Sequence, residues 1–147
     1  MKMNNEFHKE IAVECYNNTW DLIDKKERTE EEKLKMIHMA HTSRYHWGVI
    51  GKPVNFQRGE WQIARVYSEL KMIDQAIYHA EICLELSLIN SLDELDIAFA
   101  YEAMTRAYSL AENKELYEEN KKLAIEHGNK IENKENREYF LKEINSL

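Results

Sequence analysis

Proline and glycine are almost missing from this chain. Its 147 residues hold one proline and four glycines. An all-β or doubly wound fold turns sharply many times and uses these residues to do so; a chain with so few is expected to be built from long helices. Cysteine is equally scarce. Cys15 and Cys83 stand far apart, a spacing that makes neither a zinc site nor a disulfide framework, and each lies among apolar neighbours as a buried small hydrophobe would. No apolar run is long enough to suggest a membrane span. The opening MKMNNEFHKE has neither the apolar stretch nor the small-residue cleavage site of a secretory leader. A positive charge surplus is also lacking. The formal net charge of −7 sets nucleic acid aside as the main partner, since phosphate binding needs a basic surface. These absences predict one soluble, cytoplasmic domain, 1–147, with no membrane and no nucleic-acid partner.

What the chain does have is helical periodicity. Phe7, Ile11, Cys15, Asn18 and Leu22 recur at three-to-four spacing, predicting a helix from about Asn5 to Asp24. Thr29 through Glu32 spells a capping box for a second, about Glu30 to Ile50. Gly51 reads as a left-handed stop and Pro53 as the first turn of a third helix reaching about Lys71. Met72-Ile73-Asp74 reads as a turn with Asp74 capping a fourth, about Gln75 to Ile89. Three more follow: about Glu94 to Ala111, Glu115 to His127 stopped by Gly128, and Lys134 to Asn145 capped by Asn133. The fold class expected is all-α, with about seven helices and no sheet.

The third and fourth helices align with the fifth and sixth. When Tyr67 is set on Tyr108, Ala64 meets Thr105, Arg65 meets Arg106 and Ser68 meets Ser109. The stretch from Trp61 to Leu86 resembles a tetratricopeptide repeat. Ala64, Tyr67 and Ala76 stand where that motif wants a small residue, a large aromatic and the alanine opening the second helix's buried face. The later stretch departs from the pattern, with Tyr117 at the alanine place and Lys71 and Glu112 where the turns would take glycine. The runs AHTSRYHW and RGEWQIARVY are also similar to stretches of small uncharacterised bacterial repeat proteins, a likeness that carries no function. The resemblance implies a right-handed stack of antiparallel hairpins, a tetratricopeptide-like α-solenoid. Residues 5–50 would form a divergent hairpin, 53–89 the best repeat, 94–128 a degenerate repeat and 133–146 a capping helix through Tyr139, Phe140, Leu141 and Ile144.

In such stacks the first helix of each hairpin lines a concave groove, nine, six and two residues before the large aromatic. The resemblance therefore puts Arg58, Trp61 and Arg65 on the groove, followed by Phe99, Glu102 and Arg106. With Trp20 as the aromatic of the first hairpin, Ile11, Glu14 and Asn18 join them. Arginine offers a planar donor fork for carboxylates and phosphates, and Trp with Arg is the pairing that binding hot spots favour. The competing reading is internal: Trp61 packs between hairpins while Arg65 and Arg106 pair with Glu102 and Glu14.

One helix is rich in histidine. His38 and His41 share a face, as do His41 and Tyr45. His38, His41 and His46 are weak candidates for a metal, because the spacing is not that of a zinc protease and no further ligands lie close in sequence. A pocket shared by His41, Tyr45, Arg58 and Trp61 is the better expectation, and packing of an amphipathic seam competes with both. No nucleophile–base pair, phosphate loop or paired-carboxylate motif occurs, so no catalytic residue and no cofactor are expected. The function expected is a non-catalytic binding module. It would hold a protein or peptide partner, or a small anionic ligand, at Arg58, Trp61, Arg65, Glu102 and Arg106, with His41 and Tyr45 beside them. The alternatives are a metal-binding or hydrolytic protein centred on the histidines, and a self-associating scaffold acting as a homodimer.

Overall fold

The protein's structure, a computed structural model, describes residues 4–147. Seven α-helices occur among them, and no strand: α1 (Asn5–Ile23), α2 (Glu30–Ile50), α3 (Pro53–Glu69), α4 (Ile73–Ile89), α5 (Glu94–Leu110), α6 (Lys114–Gly128) and α7 (Lys134–Asn145). Most begin where a side chain satisfies an orphan amide. Asn4 Oδ1 accepts from Phe7 N at 2.9 Å, Asn113 Oδ1 from Leu116 N at 3.1 Å and Asn133 Oδ1 from Asn136 N at 2.8 Å. At α2 the capping box is complete: Thr29 Oγ1 accepts from Glu32 N at 3.1 Å, and Glu32 Oε1 accepts from Thr29 N at 3.0 Å. Lys25 also pairs with Glu32. Lys25 and the Thr29 amide together hold the Glu32 carboxyl down at about 2. Asp74 is not a cap. α4 starts one residue before it with Met72 at the N-cap, leaving Asp74 in the first turn, where its charge suits the positive end of the helix.

The helix ends correct a second expectation. No glycine among the described residues has a positive φ; the left-handed positions are Lys71 (58°), Ser91 (49°) and Glu112 (55°). Each closes its helix with the same pair of bonds. Met72 N reaches Tyr67 O and Lys71 N reaches Ser68 O, and the pattern recurs at Leu92 and Ser91 and at Asn113 and Glu112. Gly51 is extended, with φ −88° and ψ −171°. A Cβ there would lie 2.7 Å from Trp47 O, so crowding selects the glycine. Gly128 is the last residue of α6 rather than its stop, and a Cβ on it would lie 2.5 Å from both Cδ1 and Cε1 of Phe140.

The aligned hairpins share the spacing of their helix bounds and turns. α3 spans 53–69 and α5 spans 94–110, both bounds moving by 41 positions. The left-handed residue moves from 71 to 112 and the start of the next helix from 73 to 114, again by 41.

Consecutive helices pack as hairpins, α1 on α2, α3 on α4 and α5 on α6; α3 also touches α1 and α5, and α7 closes against α6 and α5. Three apolar clusters run through the stack. Ile23, Met36, Ala40, Ile63 and Val66 join the first hairpin to the second. Ala64, Ala80, Ala103 and Met104 join the second to the third. Ala98, Ala124, Ile131, Phe140 and Ile144 hold α7. Small residues dominate the middle seam, so the helices approach closely there; Ala64 and Ala76 are both buried. Two buried glutamines on α3 cross-link its neighbours. Gln62 Nε2 donates to Tyr16 O on α1 at 2.9 Å, and Gln57 Nε2 donates to Asp96 O on α5 at 2.8 Å. Of the two cysteines, both free, only Cys83 is fully enclosed, and Cys15 is partly exposed. No helix among the described residues is long and apolar enough to cross a membrane.

Candidate functional site

The cross-linked helices α1, α3 and α5, with α7 at the end, share one concave face. A cavity of about 350 Å³ opens there, within the range of small-ligand pockets. Its wall is aromatic: Tyr16, Trp20, Trp61, Phe99 and Tyr139 line it together with Leu95. The rings support one another. Trp20 and Trp61 lie 5.5 Å apart at 30°, and Phe99 meets Trp61 edge-on at 5.7 Å. Phe99 in turn rests edge-on against buried Phe140 at 4.9 Å, which ties the wall to the core. A second recess of about 160 Å³ shares Trp20, Trp61, Phe99 and Tyr139 with the first and extends past Arg65, Glu102 and Arg106 to Asp24 and Glu143. Arg58, Trp61, Arg65, Glu102 and Arg106 are thus brought along one face.

The charges on this face are largely paired within the protein. Arg58 Nε lies 3.0 Å from Asp96 Oδ1 and Nη2 lies 3.4 Å from Oδ2; the arginine is 54% exposed and the aspartate 7%. Glu102 is 1% exposed. Its Oε2 accepts from Trp61 Nε1 at 2.9 Å and its Oε1 from Arg106 Nε at 2.9 Å. Arg65 bonds Glu69 at 2.9 Å rather than Glu102, and Arg28 reaches the same carboxylate at 3.4 Å. The Arg65 guanidinium also sits 5.9 Å from the centre of the Trp20 ring. Trp61 therefore serves both readings, since its nitrogen is tied internally while its ring lines the cavity. Burial raises the Tyr16 and Tyr139 hydroxyls above the ordinary tyrosine value, and at Tyr139 the charges of Glu143, Glu102 and Asp24 push the same way against Arg65.

The first helix contributes other residues than expected. Tyr16, Trp20 and Asp24 face the groove; Glu14 and Asn18 are exposed elsewhere, and Ile11 lines neither recess. Trp20 lines the cavity and also packs, as Tyr67 does, against the cluster of Ile23, Met36 and Ile63. Tyr139, expected on the apolar seam of α7, is 59% exposed and completes the wall.

His41 and Tyr45 do not join Arg58 and Trp61. His41 Nε2 lies 2.9 Å from the Tyr67 hydroxyl and its ring is 5.4 Å from His79, inside the packing of α2 on α3 and α4. Tyr45 is 69% exposed and rests edge-on against His46. The three candidate metal histidines are dispersed as well. His46 Nδ1 pairs with His8 Nδ1 at 2.8 Å, and no group of three or more His, Cys, Asp or Glu among the described residues is placed to hold a metal ion. Burial, first of all, lowers His41 and His46 below the ordinary histidine value of 6.5; His79 adds to the effect at the former and His8 at the latter.

A polar network escaped the sequence reading. Glu60 accepts from Arg44 Nε at 2.8 Å and pairs with His79 Nδ1 at 2.7 Å, while the His79 ring stacks on Tyr67 at 5.6 Å. The same device recurs one hairpin on. His127 Nδ1 lies 2.6 Å from Glu94 Oε2 and its ring stacks on Tyr101 at 5.4 Å, with the Glu and Tyr seven residues apart in both helices. The two clusters do not stand at equivalent places, since the Glu and Tyr move by 34 positions and the His by 48, against the 41 of the helix bounds. The neighbouring thiol, Cys83, is sealed in and raised well above its ordinary value by burial.

No protein-family model, no curated protein and no solved structure matches the chain.

Proposed function

We propose that the chain is a non-catalytic binding module of tetratricopeptide-like architecture. It holds an extended peptide segment of a partner protein along the α1–α3–α5 face and takes one of its side chains into the aromatic cavity. The observation that supports this reading is the convergence of Tyr16, Trp20, Trp61, Phe99 and Tyr139, from four separate helices, on one recess of about 350 Å³. Aromatic surface left open to water in this quantity is what binding sites retain and packing removes. A small anion as the main ligand is less well supported, since Arg58, Arg65 and Arg106 each already bond a carboxylate. The two unpaired thiols agree with a cytoplasmic setting.

Peptides selected from a random display library against the protein test this reading. Tyr139→Ala removes an exposed part of the wall, so the fold should persist. Loss of one aromatic contact is worth about 0.5–1.5 kcal/mol beyond its area, or roughly two- to tenfold in affinity. Selected peptides should bind the variant about two- to tenfold more weakly. Equal affinity for both proteins would place binding elsewhere and refute the proposal.

A further inference from the structure

The binding reading leaves open what kind of side chain enters the cavity, and three independent features of the face bear on it. The first is the wall. Aromatic rings carry a negative quadrupole over their faces and attract weakly hydrated cations. This wall already holds one, the Arg65 guanidinium 5.9 Å from the Trp20 ring centre.

The second is the distribution of charge. Along the two joined recesses stand three arginines, Arg58, Arg65 and Arg106, and four carboxylates, Asp24, Asp96, Glu102 and Glu143. All three arginines have acidic partners, whereas Asp24 and Glu143 have no ion-pair partner among the described residues. Asp24 and Glu143 therefore bring two uncompensated negative charges to the α1–α7 end of the groove, against one excess positive charge where Arg28 and Arg65 share Glu69. Burial is the first cause of the rise of the Tyr139 hydroxyl, and Glu143, Glu102 and Asp24 add to it while Arg65 opposes them. With a net charge of −7, the whole molecule also steers basic segments toward itself.

The third is an unmet acceptor. Gln57, which lines the cavity, donates through Nε2 to Asp96 O, and its buried Oε1 has no hydrogen-bond donor. It adds another negative dipole end beside the cavity.

On the premise that the groove binds peptides, we propose that the cavity takes a cationic side chain, the guanidinium of arginine or the ammonium of lysine in a basic segment. The aromatic wall would hold it, with the unpaired carboxylates Asp24 and Glu143 at the end of the groove.

Short host peptides carrying one guest residue, arginine, lysine, trimethyl-lysine, the neutral carbon isostere of trimethyl-lysine, norleucine, phenylalanine or glutamate, separate the classes. Binding is read from the fluorescence of Trp20 and Trp61, which line the cavity. The cationic guests should bind, and the neutral isostere should bind about tenfold more weakly than trimethyl-lysine, a difference that desolvated cation–π contacts supply. Asp24→Asn with Glu143→Gln removes two unpaired charges and should weaken the cationic guests about two- to tenfold, an effect that added salt diminishes. Equal binding of the neutral and cationic guests, or tightest binding by phenylalanine, would overturn the cation and leave the groove standing. Tightest binding by glutamate would replace it with an anion. If no guest binds at millimolar concentration, the groove reading falls along with the cation.

Discussion

Gly128→Ala sets two physical effects against each other with opposite signs. Gly128 is the last residue of α6, and alanine is the better helix former by about 0.8–1.0 kcal/mol in a helix interior. Propensity alone therefore predicts stabilisation. Packing predicts the reverse. The new methyl would lie 2.5 Å from Phe140 Cδ1 and Cε1, about 1 Å inside ordinary van der Waals contact. Phe140 has no room to yield, since it is 0% exposed, its ring abuts Phe99 at 4.9 Å, and the same methyl would meet Leu141 Cδ2 at 3.4 Å. Overpacking of this kind costs about 1–3 kcal/mol, and with Phe140 held on all sides packing should win by up to about 2 kcal/mol, lowering Tm by up to a few degrees for a domain of this size. The displacement should concentrate in α7. Amide exchange there should rise, and Tyr139 should move away from the cavity wall. Urea denaturation followed by circular dichroism gives the sign, and Phe140→Leu in the Gly128→Ala background should recover part of the loss. A variant more stable than the parent would refute the close-approach argument.

The other expectations draw on the turns, the buried ion pairs and the histidines. Lys71→Gly and Glu112→Gly relieve left-handed backbones that cost about 1–2 kcal/mol in a residue with a Cβ, offset by the greater unfolded-state entropy of glycine; each should gain about 0.5–1 kcal/mol in chemical denaturation. Arg106→Met leaves the buried Glu102 carboxylate with only the Trp61 N–H, and breaking a buried pair this way costs about 3–5 kcal/mol. Glu102→Gln keeps an acceptor for Trp61 and removes the charge, so at neutral pH it should cost clearly less, and equal costs would contradict the assignment. His41 and His46 have folded values below the ordinary 6.5, so the unfolded chain binds the extra protons. Stability should be full above pH 6.5 and fall as pH drops through it, levelling once the folded-state values are passed. Around His41 stand Tyr67, His79, Glu60 and His38, and around His46 stand His8 and Tyr45. Replacing His41 and His46 with Gln should flatten that limb of a pH series of melts.

Local signals in the sequence were sufficient for the helices and for the shared face of the arginine stripe. Scarce breakers, the Thr29–Glu32 box, Pro53 and Asn133 located α2, α3 and α7, because capping is settled within four residues. The Arg58–Trp61–Arg65 stripe was visible because residues three and four apart share a helix face wherever the helix goes. What the sequence concealed depends on long-range packing. Asp96 looks like an ordinary acidic residue of a first turn, and only the placement of α3 beside α5 makes it the partner of Arg58. Tyr139 follows the apolar period of α7, and a helix of 12 residues does not reveal which edge of its stripe stays open. Glycine misled for a related reason. At Gly51 and Gly128 it answers to crowding, while the left-handed turns fall at Lys71 and Glu112, which the repeat alignment marks as glycine places, and at Ser91, which nothing marks.

The orientation of the ion pairs decides what the arginine stripe can do. In three pairs the acid is the buried partner and the arginine the outer one: Asp96 at 7% beneath Arg58 at 54%, Glu102 at 1% beneath Arg106 at 18%, Glu60 at 8% beneath Arg44 at 26%; Arg65 at 20% and Glu69 at 26% are the exception. A buried carboxylate depends on its cation far more than an exposed arginine depends on its acid. An incoming anion would therefore compete with Asp96 and Glu102 for the guanidinium groups that compensate their buried charge. Arginines that were ready to meet a carboxylate or phosphate would stand over neutral or apolar positions instead. The stripe's first duty is thus to carry charge compensation out to the groove surface, leaving the aromatic rings between the pairs as the open chemistry of the face. Under the two proposals the stripe thus lies along the binding face while pointing to the wrong charge for its ligand.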